Sequence, residues 1–307
     1  MATVFDHLLT APLRDAPEQD LAGAWARHRE VARGFESSLD AAIAGGFAAD
    51  RLGFAFLSGY QEALRALIPA VGVDEIVALS ATEEGGAHPA AIETRLVDTP
   101  DGARVTGTKT FTTLGTLASR VVVIAAVGPD DQGRNVLRAA LVEVDQPGVA
   151  VSPLEPVPFA PEIPHARVVL SDARAEPLPG DGYSDYLKPF RTLEDAHVFA
   201  ATLGWLVRIG RLARWPQPVL QRLLAALAGL RGADPARPKA PGVHIALGGL
   251  FDQVDQLLAE IEPLWSAVDS TDRERWERDR RLLGTAGRVR ALRLSAAWRV
   301  VESSGGH

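Results

Sequence analysis

Apolar residues recur with a helical period at both ends of this chain, and in short β-type runs between them. In the first third, Leu21, Trp25, Ala32, Phe35, Leu39 and Ile43 fall at helical spacing, with Gly45-Gly46 closing the pattern. Leu57, Tyr60, Leu64, Leu67 and Ile68 make a second run that Pro69 ends. From about Ile76 the period changes. Ile76–Ala81, Thr94–Val97, Arg104–Thr112, Val121–Ala126, Leu137–Val144, Val149–Val151 and Val168–Leu170 read as strands, separated by turn signals such as Pro100-Asp101-Gly102 and Pro147-Gly148. Pro153 to Pro164 reads as an extended surface connection.

After Pro177–Gly182 the helical period returns. Thr192–Ala213 is apolar on most faces and predicts a buried helix. Leu220–Leu227 and Ile245–Leu264 predict two more, with a Gly-, Pro- and Arg-rich linker (Arg231–Gly242) between them. Arg273–Val301 predicts the last. The pattern therefore predicts an α+β chain: N-terminal helices (1–75), a middle antiparallel β-barrel or sandwich (76–180) and a C-terminal four-helix bundle (181–307). Trp25, Trp205, Trp265 and Trp298 sit on apolar helical stripes, as core or subunit-interface residues do.

Composition narrows the chemistry. A net charge of -7 over 307 residues argues against a nucleic-acid footprint and leaves no polybasic patch for a membrane. With no Cys, thiolate nucleophiles, disulfides and Cys-ligated metals are excluded. The opening Met1-Ala2-Thr3-Val4-Phe5-Asp6 is unlike a secretory signal, and no apolar run reaches membrane-spanning length, so a soluble cytoplasmic protein is expected. The histidines show no metal-ligand spacing.

Two strand ends carry the candidate chemistry. Ala78-Leu79-Ser80-Ala81-Thr82-Glu83-Glu84-Gly85-Gly86-Ala87-His88 and Val105-Thr106-Gly107-Thr108-Lys109-Thr110-Phe111-Thr112-Thr113 both finish in small and hydroxyl residues. Such edges present backbone N–H groups and hydroxyls with little bulk, which suits a flat heteroaromatic ligand. This pair resembles the flavin-facing edge of the acyl-CoA dehydrogenase family, whose strands read roughly T-E-P-x-x-G-S-D and K-x-F-x-T. Glu84 stands where the family has Pro, Ala87 where it has Gly, and His88-Pro89 replace its Ser-Asp.

The resemblance implies FAD as cofactor. Leu79, Ala81 and Thr82 would line one edge of the flavin ring, with Phe111 stacking on it and Thr113 hydrogen-bonding near the reactive nitrogen. His88 would either meet a cofactor phosphate or serve as an exposed turn residue. The family's chemistry needs a carboxylate to remove an α-proton from an acyl thioester while hydride leaves the β-carbon. Glu194 or Asp195, at the start of the first helix after the β-domain, would fill that role; Glu302 is a poorer match. Thr192-x-x-Asp195 is also a capping box, so Asp195 is equally read as a cap. Arg191 would bind an acyl or phosphate oxygen, or make a surface ion pair. Two classes of function stay open: a flavin-dependent oxidoreductase, whether dehydrogenase, oxidase or monooxygenase, and a degenerate family member acting as a binding or assembly protein. A homodimer or homotetramer is implied in either case.

Overall fold

The structure is a computed structural model that describes residues 3–13, 17–233 and 235–304; Met1 and Ala2, at the N-terminus, and Gly305, in the segment around Glu302, lie outside them. The chain folds into two compact units. One comprises Met1–Ala66, Pro158–Glu162 and Thr192–His307, the other Leu67–Val157 and Ile163–Arg191. The helices before and after the β-segment thus belong to one unit.

That helical unit contains α1 (Val4–Thr10), α2 (Leu21–Ala32), α3 (Ser38–Ala48), most of α4 (Leu52–Leu67), α5 (Lys188–Leu212, from Thr192 on), α6 (Gln217–Gly232), α7 (Pro241–Ile261), α8 (Ser270–Asp279) and α9 (Gly287–Ser304). Side-chain caps start the first three: Thr3 with Asp6, Asp20 on Gly23 N–H, and Ser37 on Asp40 N–H. The first apolar run is two helices, not one ending at Gly45-Gly46. Both glycines lie inside α3, because a Cβ on Gly45 would meet the His28 imidazole and one on Gly46 the Ala201 backbone. Close helix packing, rather than helix termination, accounts for them.

Three further expectations change. α5 begins at Lys188, after a π-helical turn (Gly182–Leu187) that Asp181 caps. Thr192 and Asp195 therefore sit inside the helix, and the Thr192 capping box does not form. Arg273–Val301 breaks into α8, a 3₁₀ turn (Arg280–Gly284) and α9. Gly284 and Gly287 weaken helix there, and the Asp279 side chain is held by Arg278 and by the Ala160 N–H at 2.7 Å. That last bond also shows that the proline-rich connection is not all surface, since Ala160 is buried. Among the tryptophans, Trp25, Trp205 and Trp265 are buried, while Trp298 is exposed. Trp265 and Trp276 stack in parallel with centroids 4.8 Å apart, and Trp205 lies within 6 Å of both. No helix among the described residues is long and apolar enough to cross a membrane.

Histidines are buried beside these helices. His197, on α5, accepts from Ser38 Oγ at Nε2 (3.0 Å) and donates from Nδ1 to the Leu193 carbonyl (2.8 Å). This pattern fits the neutral ring, and burial lowers its pKa to about 4. His28 pairs with Glu62 at 2.8 Å; burial lowers its pKa as well, against the pull of Glu62.

The other unit is built on seven strands: β1 (Val77–Ser80), β2 (Arg95–Thr99), β3 (Gly102–Thr113), β4 (Arg120–Pro129), β5 (Asn135–Glu143), β6 (Val149–Pro153) and β7 (His165–Pro177). Each matches one run read from the sequence. β4, β2, β3, β7 and β5 pair in turn, and β5 returns to β4, closing a barrel; β1 adds to β4 and β6 to β7. Most pairings are antiparallel, but β4 pairs parallel with both β1 and β2. Alternate side chains fill the interior, among them Val105, Val121, Val123, Val142, Val168 and Leu170.

The folded chain protonates His197 only near pH 4, while the unfolded chain does so below about 6.5. Stability present above pH 6.5 is therefore lost as pH falls through this window. Urea unfolding followed by tryptophan fluorescence should show a falling midpoint between those pH values. A His197→Gln variant should show a smaller fall.

Candidate functional site

The site is shaped by a break in the β3 ladder. Lys109 pairs with Val168 and Thr112 with Ala166, so three steps on β3 face two on β7. This is a bulge, and it reverses which side chains point inward. Val105 and Lys109 are fully buried at odd-numbered positions; beyond the bulge the fully buried residue is the even-numbered Thr112. Phe111 and Thr113 consequently face outward together, and Phe111 is 40% exposed. With no bulge the alternation would turn both into the barrel. The inward Thr112 hydroxyl meets Ser80 Oγ on β1 at 2.6 Å. Beyond β1, Thr82 bridges to Phe111, and its carbonyl accepts from Thr110 N–H at 2.8 Å.

Lys109 fixes these strand ends from inside. Its ammonium group has no exposure and donates to Glu83 Oε1 at 2.6 Å, to the Ile124 carbonyl at 2.6 Å and to the Ala81 carbonyl at 3.5 Å. The Glu83 carboxylate also accepts from the N–H groups of Glu93 (2.8 Å) and Thr94 (3.1 Å), just before β2. One ion pair thus ties together the turn after β1, the start of β2, β3 and β4. Burial lowers the Lys109 pKa to about 8, with Glu83 opposing the fall. Burial raises Glu83, but Lys109 and the backbone donors outweigh it and leave the carboxyl below its ordinary value.

The outward face carries an aromatic ring and hydroxyls. Phe111 stacks on His165 with centroids 4.2 Å apart and planes at 25°. Thr82 and Thr113 are half-buried, and their hydroxyls make no hydrogen bond among the described residues. Leu79 and Ala81 are buried at and just beyond the end of β1. An open aromatic face beside unengaged hydroxyls fits a flavin ring edge. Next to this edge, a groove of about 990 Å³ is lined by Arg95, Thr106, Thr108, Thr110 and Arg167 among others.

The other candidates fall elsewhere. His88 caps a 3₁₀ turn (Pro89–Ala91), its Nδ1 accepting from Ala90 N–H at 3.2 Å. Arg191 reaches the Ala87 carbonyl at 3.4 Å, so Arg191 and His88 meet the same turn. Glu194 and Asp195 are on α5 in the helical unit. Glu194 is half-buried. Asp195 is buried and ion-paired with Arg293 of α9. Burial raises the Asp195 carboxyl, with Arg293 and Arg290 opposing. Arg293 also lines a cavity of about 450 Å³ with Phe251, Trp276, Leu283 and Leu294. Sequence reasoning missed Lys109, Glu83 and His165. Lys109 and Glu83 were visible as charges inside the two motifs, but nothing local marked them as partners; nothing in the sequence marked His165.

Removing one partner of the buried pair strands the other. Lys109→Met is expected to lower unfolding stability by about 3–5 kcal/mol, and Lys109→Met with Glu83→Gln to recover much of it, as read by urea denaturation. The unfolded chain holds the Lys109 proton up to about pH 10.5 and the folded chain only to about 8. Native stability should therefore gain a contribution as pH rises between these values, and Lys109→Met should abolish it.

Residues 78–173 match the family model "Acyl-CoA dehydrogenase, middle domain". No curated protein matches the chain in sequence. Solved structures resemble it in fold. Butyryl-CoA dehydrogenase from Megasphaera elsdenii superposes with a TM-score of 0.67 at 15% identity, over 92% of this chain and 90% of that one. The prolyl acyl carrier protein oxidase AnaB gives 0.66 at 15% identity, over 95% and 96%. Glutaryl-CoA dehydrogenase from Mycobacterium smegmatis gives 0.63 at 16% identity, over 96% and 92%. In fold throughout, and in sequence across its β-barrel, this chain is acyl-CoA dehydrogenase-like.

Proposed function

We propose that this protein is an FAD-dependent oxidoreductase acting on an acyl thioester. The observation that carries this reading is the outward-turned Phe111 face, flanked by the unengaged hydroxyls of Thr82 and Thr113. Flavin, when bound, supplies the acceptor for a hydride equivalent. Phe111 stacks on one face of the ring. Thr113 donates a hydrogen bond to its edge, and Leu79, Ala81 and Thr82 line the other edge. His88 and Arg191, gathered at one turn, are the residues offered to an anionic oxygen of cofactor or substrate.

A carboxylate must take the substrate's α-proton. Burial raises the Asp195 carboxyl despite Arg293, but its side chain is committed to the ion pair with that residue of α9. Glu194 is the proposed base on the family resemblance, which allows that role at this place on α5. Exposed apolar residues on α9, among them Leu292, Trp298 and Val300, support assembly as a homodimer or homotetramer.

Purified protein incubated with FAD should turn yellow, and the colour should bleach on adding an acyl-CoA without oxygen. Phe111→Ala should weaken FAD binding. Glu194→Gln should keep the yellow colour and lose the bleaching, by analogy with the loss of a general base of roughly 10²–10⁴ in rate. A colourless protein that no FAD concentration reconstitutes would overturn the oxidoreductase reading.

A further inference from the structure

The weakest point of the candidate flavin edge is also its centre. Phe111 lies in the β3 bulge, where the regular ladder to β7 is interrupted between Lys109 and Thr112. Its backbone is held by the single bridge to Thr82. A residue so placed has fewer neighbours to set its ring than one inside a regular strand. Something else must fix the plane of that ring if it is to receive a ligand.

His165 is placed to do so. It opens β7 and is clamped on both sides: it pairs with Thr113 of β3, its carbonyl accepts from Leu154 N–H at 2.9 Å, and the Pro164 carbonyl before it accepts from Leu114 N–H at 2.8 Å. Its imidazole lies under Phe111 with centroids 4.2 Å apart and planes at 25°. Burial lowers the imidazole pKa, and no charged neighbour contributes to the shift, so the ring is neutral in ordinary buffers. Nδ1 is buried without a hydrogen-bond partner among the described residues, which favours the proton on Nε2.

We propose that His165 is a positioning residue: clamped by backbone hydrogen bonds at the start of β7, its ring backs Phe111 and holds the opposite face of Phe111 ready for a flat heteroaromatic ring. The inference rests on the flavin reading for the identity of that ring, and on geometry alone for the restraint of Phe111. The result is a three-layer stack of imidazole, phenyl ring and ligand. A stacking partner of this kind contributes enough to change affinity by about threefold to tenfold.

The test uses the full chain with 4-fluorophenylalanine at position 111 and three variants, His165→Ala, His165→Asn and His165→Phe. Fluorine NMR of the ligand-free protein reads the restraint of the ring, and FAD titration reads its consequence. We expect His165→Ala and His165→Asn to shift and broaden the fluorine line and to weaken FAD binding by about threefold to tenfold. His165→Phe, which keeps a flat ring, should restore both. The visible absorption band of bound FAD should move in His165→Ala and return in His165→Phe. An unchanged fluorine line in His165→Ala and His165→Asn would overturn the proposal, as would a His165→Phe variant no better than His165→Ala. Should wild-type protein bind no FAD, the flavin reading fails, while the fluorine line still decides whether His165 sets Phe111.

Discussion

A lysine ammonium group sealed inside a β-barrel must find a counter-charge, and here that requirement organises the strand ends. Lys109 has no exposure and reaches Glu83, Ile124 and Ala81 at once, while Glu83 collects the backbone donors of Glu93 and Thr94. A desolvated pair of this kind adds little net stability over an apolar isostere. Its effect is positional. Carbonyls and N–H groups from β1, β2, β3 and β4 are drawn to one point, and Thr82 is set opposite Phe111 as a consequence.

The bulge completes what the ion pair begins. Lys109 is the last inward residue before it and Thr112 the first after it. The pair holds one side of the bulge and the Ser80–Thr112 hydrogen bond holds the other. Between them Phe111 is turned outward onto His165. The local irregularity and the candidate chemistry therefore coincide, as bulged strands beside binding sites often do. The cost is a less restrained backbone at the residue that most needs a fixed ring, and the side-chain stack offsets it.

The helical unit follows a different logic, of close approach. Gly46 lets α3 lie against the α5 backbone at Ala201, and Gly45 leaves room for the His28 imidazole of α2; a Cβ at either would clash. α5 is buried over most of its length, and it carries both His197, kept neutral by burial, and Asp195, paired to α9 through Arg293. In such a helix a carboxylate found by sequence position alone is as apt to be a packing partner as a base. Its neighbour Glu194, one residue earlier, is half-buried.

The sequence by itself determined the order of elements, because periods of 3.6 and 2 are written locally in apolar spacing. All seven strands were legible, as were the long helices and the two hydroxyl-tipped ends. The tertiary structure alone decided several things: that Gly45-Gly46 sits within a helix, that the long last run breaks, that Thr192 is helix interior, and that Asp195 has a guanidinium partner. It also decided which way Phe111 points. Each of these depends on residues far apart in sequence: Lys109 on Glu83, Asp195 on Arg293, Asp279 on Ala160, Phe111 on His165. Periodicity reports which face of an element is apolar. It does not report what that face meets, where a ladder slips by one residue, or which buried charge has found its partner.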